Sequence, residues 1–183
     1  MNIAIYGPMC SGKTTVAKII QEIDEQYEIY SFGKKIKELA SDLFNMEGKD
    51  RTLLINIADK MREIDEDIWA KYLMKQMSNK THCLIDDLRF QNELDSLGDD
   101  WKFIALITPP HVRGERLKKL YPENYEDHFK NMMHKSETGQ LKFPRKRIRT
   151  KTLTVRAKQS STAASGLWLT SATLKRAFWI YSP

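Results

Sequence analysis

Lys13 and Thr14 close the stretch Gly7-Pro8-Met9-Cys10-Ser11-Gly12-Lys13-Thr14-Thr15, which satisfies G-x-x-x-x-G-K-[ST] at every fixed position. Gly7 and Gly12 permit backbone conformations and close approaches that a Cβ obstructs. Successive N–H groups of Cys10, Ser11, Gly12 and onward to Thr15 can then surround phosphate oxygens at the N-terminus of the following helix, whose dipole favours an anion. Lys13 reaches the β- and γ-phosphates, and the Thr14 hydroxyl binds Mg²⁺. An ordinary turn before an ordinary helix is the bland alternative. Strand, loop and helix stand in the required order here, which favours the phosphate site.

Other chemistry-bearing residues follow downstream. Asp86 and Asp87 end the apolar run CLI, and the C-terminal edge of a parallel strand is where open α/β sheets bind ligands. Either carboxylate can hold Mg²⁺ directly or through water, or can cap a helix. Asp86 is taken with Thr14 for the metal, the division of roles between the two acids staying open. Arg89 can clamp a phosphate bidentately, or form a surface ion pair with Glu93. Arg113 and Arg116, three apart in HVRGERLKK, share a helical face. Arginines on a closing segment stabilise the charge spread over a transferring phosphoryl group. A solvated basic helix is the alternative.

Arg62 and Trp69 in MREIDEDIWAKYL are candidate walls of an acceptor pocket, although a Trp at helical spacing also suits a core. Phe32 and the lysines after it, Lys34, Lys35 and Lys37, can meet a monophosphate, Lys35 being the one chosen. His134, Ser136 and Glu137 form a compact polar group with no catalytic spacing of their own.

The elements that must position these residues alternate. Asn2–Tyr6, Tyr27–Phe32, Thr81–Asp86 and Trp101–Ile107 read as strands, apolar enough for burial on both faces. Thr14–Ile23, Gly33–Phe44, Arg51–Arg62, Glu66–Met77 and Val112–Leu120 read as helices, with apolar residues at i, i+3, i+4 and i+7. Such alternation implies an α/β fold with a mainly parallel sheet.

The 183-residue chain carries a formal net charge of +6, but unevenly. Residues 142–183 hold 10 of the 30 basic residues and no acid, leaving 20 basic residues against 24 acids in residues 1–141, a net of −4. Nucleic-acid binding is therefore expected only through the basic, aromatic-containing tail. Two cysteines, no C-x-x-C and no Cys/His cluster argue against a disulfide framework or a zinc site. No apolar run approaches the roughly 20 residues that span a bilayer. A signal peptide is not expected, since the first residues run straight into a strand, and the reading is cytoplasmic.

Five segments together, GPMCSGKTT, SFGKKIKELA, DRTLLINIADKMREIDEDIW, IDDLRFQNE and HKSE, resemble the bacteriophage-type deoxynucleoside monophosphate kinases. They occur in the family's order and cover about residues 1–140. The resemblance implies a P-loop NTPase three-layer sandwich with a helical lid that moves the γ-phosphate of ATP, with Mg²⁺, to a (deoxy)nucleoside 5′-monophosphate. It places Lys13 and Thr14 on ATP and Mg²⁺, Asp87 and Arg89 beside the acceptor phosphate, Arg62 and Trp69 on the acceptor side, and Arg113 and Arg116 in the lid. It implies the host's cytoplasm if the chain is phage-encoded, and a homodimer is compatible with it.

Two departures stand out. Gln91 replaces the Pro of D-x-R-F-P-N-E, and an acid-free stretch replaces the acid-containing helix and strand expected after H-x-S-E. A frameshift, a fusion or a divergent C-terminus would each produce that change. The rival expectations are a small P-loop kinase acting on dephospho-coenzyme A or another metabolite, a nucleic-acid-associated P-loop ATPase, and a non-catalytic remnant.

Overall fold

The computed structural model describes residues 1–139 and 141–143. The basic run Arg145–Arg149 and the rest of the tail from residue 144 lie outside the described residues. The elements run β1 (Ile3–Tyr6), α1 (Lys13–Ile23), β2 (Glu28–Tyr30), α2 (Gly33–Phe44), α3 (Arg51–Ile64), α4 (Ile68–Gln76), β3 (Cys83–Leu88), α5 (Gln91–Asp95), β4 (Lys102–Ala105), α6 (Pro110–Leu120) and α7 (Tyr125–Lys130). A 3₁₀ turn (Asn131–Met133) and α8 (Lys135–Thr138) follow.

The strands form one parallel sheet in the order β2-β3-β1-β4. Helices cover both faces, as the apolar strands require. Successive strand residues point to opposite faces, so Ile3 and Ile5 pack with Val16, Ala17 and Ile20 of α1, while Ala4 faces Ala70, Leu73 and Met77 of α4. A satellite core joins α2, α3 and the start of α4 through Ile36, Ala40, Leu54, Ala58 and Trp69. The chain is an α/β P-loop NTPase three-layer sandwich.

Local chemistry sets several boundaries. Asp50 caps α3, its Oδ1 accepting from Leu53 N at 2.8 Å. Asn45 ends α2 in the left-handed region at φ 48°. Pro110 opens α6 two residues before the expected Val112, because its fixed φ suits a first helical turn.

The third strand differs more. It was expected over Thr81–Asp86 but runs Cys83–Leu88, since Asn79 and His82 take positive φ of 63° and 58° and turn the chain there. Asp87, expected just past the strand, consequently lies inside it together with Asp86. Leu141 and Phe143 also pack on the sheet, with the Phe143 ring 5.0 Å from Tyr6 and 5.2 Å from Phe103.

Candidate functional site

The loop between β1 and α1 has the backbone its glycines foretell. Gly7 lies at φ 149° and Gly12 at φ 101°, and a Cβ on Gly7 would meet the Leu106 carbonyl oxygen at 2.7 Å. Cys10 also takes a positive φ, 59°. Ser11 is buried within the loop, and its carbonyl accepts from the Thr108 hydroxyl at 3.1 Å. Lys13 folds back over the loop and donates to the carbonyls of Gly7 at 2.7 Å and Pro8 at 2.8 Å. Burial, and then the nearby Arg89 charge, push its ammonium down to about 7. A polyphosphate arriving beside Lys13 supplies the negative charge this ammonium lacks.

Alternation along β3 separates the two acids. Asp86 shares the face of Leu84, toward α1, and accepts a hydrogen bond from Thr14 Oγ1 at 2.7 Å. Burial, reinforced by the Asp87 charge, raises its carboxyl, so a cation here would be favoured. The Thr14 hydroxyl and the Asp86 carboxylate offer two adjacent oxygens. That fits Mg²⁺, which takes one or two protein oxygens and completes its shell with water and substrate phosphates.

Asp87 turns the other way and binds the start of α2. It accepts from Phe32 N and Gly33 N, both at 2.9 Å, and from Ser31 Oγ at 2.6 Å. Its oxygens are committed to fastening β2 and α2 to β3. The geometry thus makes Asp87 a helix cap from a distance, favoured by the helix dipole.

A cavity of about 650 Å³ opens between this loop and the helices α2 and α3. Cys10, Gly12, Lys13, Thr14, Thr15 and Asp86 line it. Arg51, Arg62, Arg89 and Glu93 line it too, with the apolar side chains of Phe32, Ile36, Leu54 and Phe90 among them. The Arg62 guanidinium lies 4.1 Å from the Phe90 ring centroid, donates to Asp59 at 3.1 Å and stands 3.7 Å from Glu93. Glu93 is 3% exposed and accepts the backbone N–H groups of Arg89 and Phe90 at 2.9 and 3.0 Å. Burial first, and then the Asp87 charge, raise its carboxyl to about 7.

The segment after α6 closes over this site. Asp127 of α7 accepts from Arg51 N at 2.8 Å, binding the N-terminus of α3. Asp59 of α3 meets His134 at 3.2 Å and Lys135 at 3.4 Å. Glu137 of α8 accepts from Arg51, Arg89 and the loop amide of Met9.

Most residues foreseen from the sequence come together here: Cys10, Gly12, Lys13, Thr14, Thr15, Phe32, Arg62, Asp86, Asp87, Arg89, Glu93 and Arg116 all reach this site, while Gly7 and Ser11 shape the loop without lining the cavity. Arg116 donates to the Cys10 carbonyl at 3.1 Å, tying α6 to the loop. Three foreseen residues stand elsewhere. Trp69 is 3% exposed in the satellite core, its indole N–H donating to Ala58 O at 3.1 Å. Lys35 pairs with Glu38 at 3.2 Å, and Lys37 lines the cavity instead. Arg113 does not line the cavity.

Sequence reading missed Arg51 and Asp59, and singled out Glu137 without giving it a role. Arg51 did carry a signal: a cation in the first turn of a helix opposes the dipole, so its place directly after the Asp50 cap needs another reason. Glu137 had none beyond its motif, because its partners are distant in sequence.

A family model described as an AAA domain matches residues 3–138. The chain belongs to the AAA domain family. Among curated proteins none matches it. Three solved structures share its fold at low identity. A gluconokinase from Sinorhizobium meliloti 1021 has a TM-score of 0.52 at 16% identity, covering 100% of this chain and 97% of its own. Shikimate kinase from Acinetobacter baumannii, in complex with shikimate, has 0.54 at 15%, covering 98% and 93%. TT1252 from Thermus thermophilus has 0.56 at 16%, covering 100% and 98%. Among the described residues no helix is long and apolar enough to cross a membrane.

Proposed function

We propose that this protein is an ATP-dependent kinase that transfers the γ-phosphate of ATP to a nucleoside 5′-monophosphate, most suitably a deoxynucleotide. The observation that carries the reading is the gathering of cationic side chains in one cavity, Lys13 with its loop together with Arg51, Arg62 and Arg89 from other elements. Arg51 and Arg89 share the single carboxylate of Glu137, so the two guanidiniums keep a net positive charge that a neutral metabolite would leave unmet. An acceptor with its own phosphate uses them, and the apolar floor with Phe90 suits a flat base. The D-x-R-F-x-N-E resemblance points the same way.

In this reading the loop amides and Lys13 hold the donor phosphates, and Arg89 with Arg51 holds the acceptor phosphate. Arg116 stands beside the loop where negative charge spreads during transfer, and Arg113 belongs to the same lid helix. Thr14 and Asp86 would hold Mg²⁺, whose charge would offset that of the donor phosphates. Catalysis then rests on positioning and electrostatics, with no covalent protein intermediate. The fold shared with gluconokinase and shikimate kinase supports a second reading, a kinase for a small hydroxylated acid.

A coupled ADP-release assay over the common dNMPs and NMPs, with gluconate and shikimate included, separates the two. Turnover of at least one dNMP, lost in Lys13→Ala, is the expected result. Transfer to the hydroxylated acids alone, or activity indifferent to Lys13→Ala, would sink the proposal.

A further inference from the structure

Glu137 is the group most deeply committed to this site without belonging to either of its substrate-facing sides. Its side chain is 1% exposed. Oε1 accepts from Arg51 Nη2 at 2.8 Å and from Arg89 Nη1, while Oε2 accepts from Met9 N in the phosphate loop at 2.6 Å. The neighbouring Ser136 carbonyl accepts from Arg89 Nη1 at 3.0 Å.

Arg51 and Arg89 come from different elements, the first turn of α3 and the end of β3, and each disfavours the other's charge. Burial and then Arg89 lower the Arg51 guanidinium. Burial opposes ionisation of Glu137 too, but Arg89 and Arg51 outweigh it and hold the carboxyl below its ordinary range. A carboxylate between two guanidiniums removes their repulsion and fixes the separation between them. Because it also binds Met9 N–H, it sets that pair against the donor loop. Two cations and one anion leave a net positive charge for an incoming phosphate, and the buried Arg51 Nε has no protein partner.

We propose that Glu137 is a positioning residue that holds Arg51 and Arg89 at one spacing from the phosphate loop, so that an acceptor phosphate is bound in line with the donor. This rests on the nucleoside monophosphate kinase reading. It predicts a split in kinetics. Removing the Glu137 charge leaves the arginines cationic and makes the site more positive, so acceptor binding survives while the geometry for transfer does not.

The test uses the full chain, with Glu137→Gln and Glu137→Asp beside wild type, and rates normalised to folded protein by circular dichroism. In Glu137→Gln kcat is expected to fall roughly a hundredfold, as for small misplacements of reacting groups, with acceptor KM unchanged or lower. A kcat close to wild type, or a loss confined to KM, overturns the proposal.

A second measurement needs no activity: phenylglyoxal labelling read by peptide mass spectrometry. Arg51 and Arg89 are expected to label faster in Glu137→Gln than in wild type, with Arg62 unchanged; equal rates overturn the proposal. If wild type phosphorylates no monophosphate, the kinase reading falls, and labelling still decides what Glu137 does. Should Glu137→Gln not fold, Glu137→Asp is labelled in its place. Its shorter side chain cannot hold both arginines and the loop, so at least one of the two must label faster, and equal rates again count against the idea.

Discussion

The phosphate loop and the arginine wall line one cavity, yet they are built by opposite means. The loop is contiguous, and nine residues running from the end of β1 into the first turn of α1 supply its backbone, its cation and its hydroxyl. The wall takes Arg51 from α3 and Arg89 from just past β3, and Glu137 of α8 holds them from 86 and 48 positions away. A contiguous site tolerates small shifts of the fold because its parts move together. A wall assembled from three elements is only as exact as the packing between them.

Mutations on the two sides should therefore fail differently. The largest loss is expected for Lys13→Ala, roughly a thousandfold in kcat, the scale of removing one preorganised charge-stabilising donor. Acceptor affinity, measured by equilibrium titration, should stay intact in that variant. Arg89→Ala should cost about a hundredfold in kcat/KM for the acceptor, with ATP affinity unchanged by the same titration. If Lys13→Ala abolished acceptor binding, the two sides would not be separable and the contrast would fail.

Asp87→Ala addresses the framework behind the wall. It removes the acceptor for Phe32 N, Gly33 N and Ser31 Oγ, and about 1–3 kcal/mol should be lost in urea unfolding. Wild-type stability in this variant would mean that water replaces the carboxylate at no cost.

The smallest effect concerns Glu93. Its carboxyl is raised to about 7 in the folded protein, so the fold binds a proton there that the unfolded chain releases nearer 4.5. Stability from this group is present below the unfolded value and is lost as pH rises through about 7. Glu93→Gln removes that loss. Its melting temperature should gain on wild type by a few degrees between pH 5 and pH 8. A difference independent of pH would show that Glu93 ionises normally.

How much was legible follows the same division. The loop could be read residue by residue, because its chemistry depends on local backbone freedom at Gly7 and Gly12. Helices α2 and α3 were legible from their apolar spacing, and the sheet from its apolar runs. The start of β3 was misplaced by two residues, since nothing in THCLID announces that His82 turns the chain. Trp69 shows the limit of helical periodicity, which identifies a buried face but not whether a core or a pocket lies beyond it. The short α5, α7 and α8 carry too few residues for a period to show, so none of them was expected as a helix.

The sequence by itself determined a phosphate loop, a parallel α/β sandwich and a carboxylate pair at a strand end, because each depends on neighbours a few residues apart. Tertiary structure alone decided that Asp86 joins Thr14 while Asp87 caps α2. The reason is that adjacent strand residues face opposite ways and only the packed helices reveal what each meets. It alone also brought Arg51, Arg89 and Glu137 to one point, since such contacts depend on how α3, β3 and α8 pack, which no local spacing records.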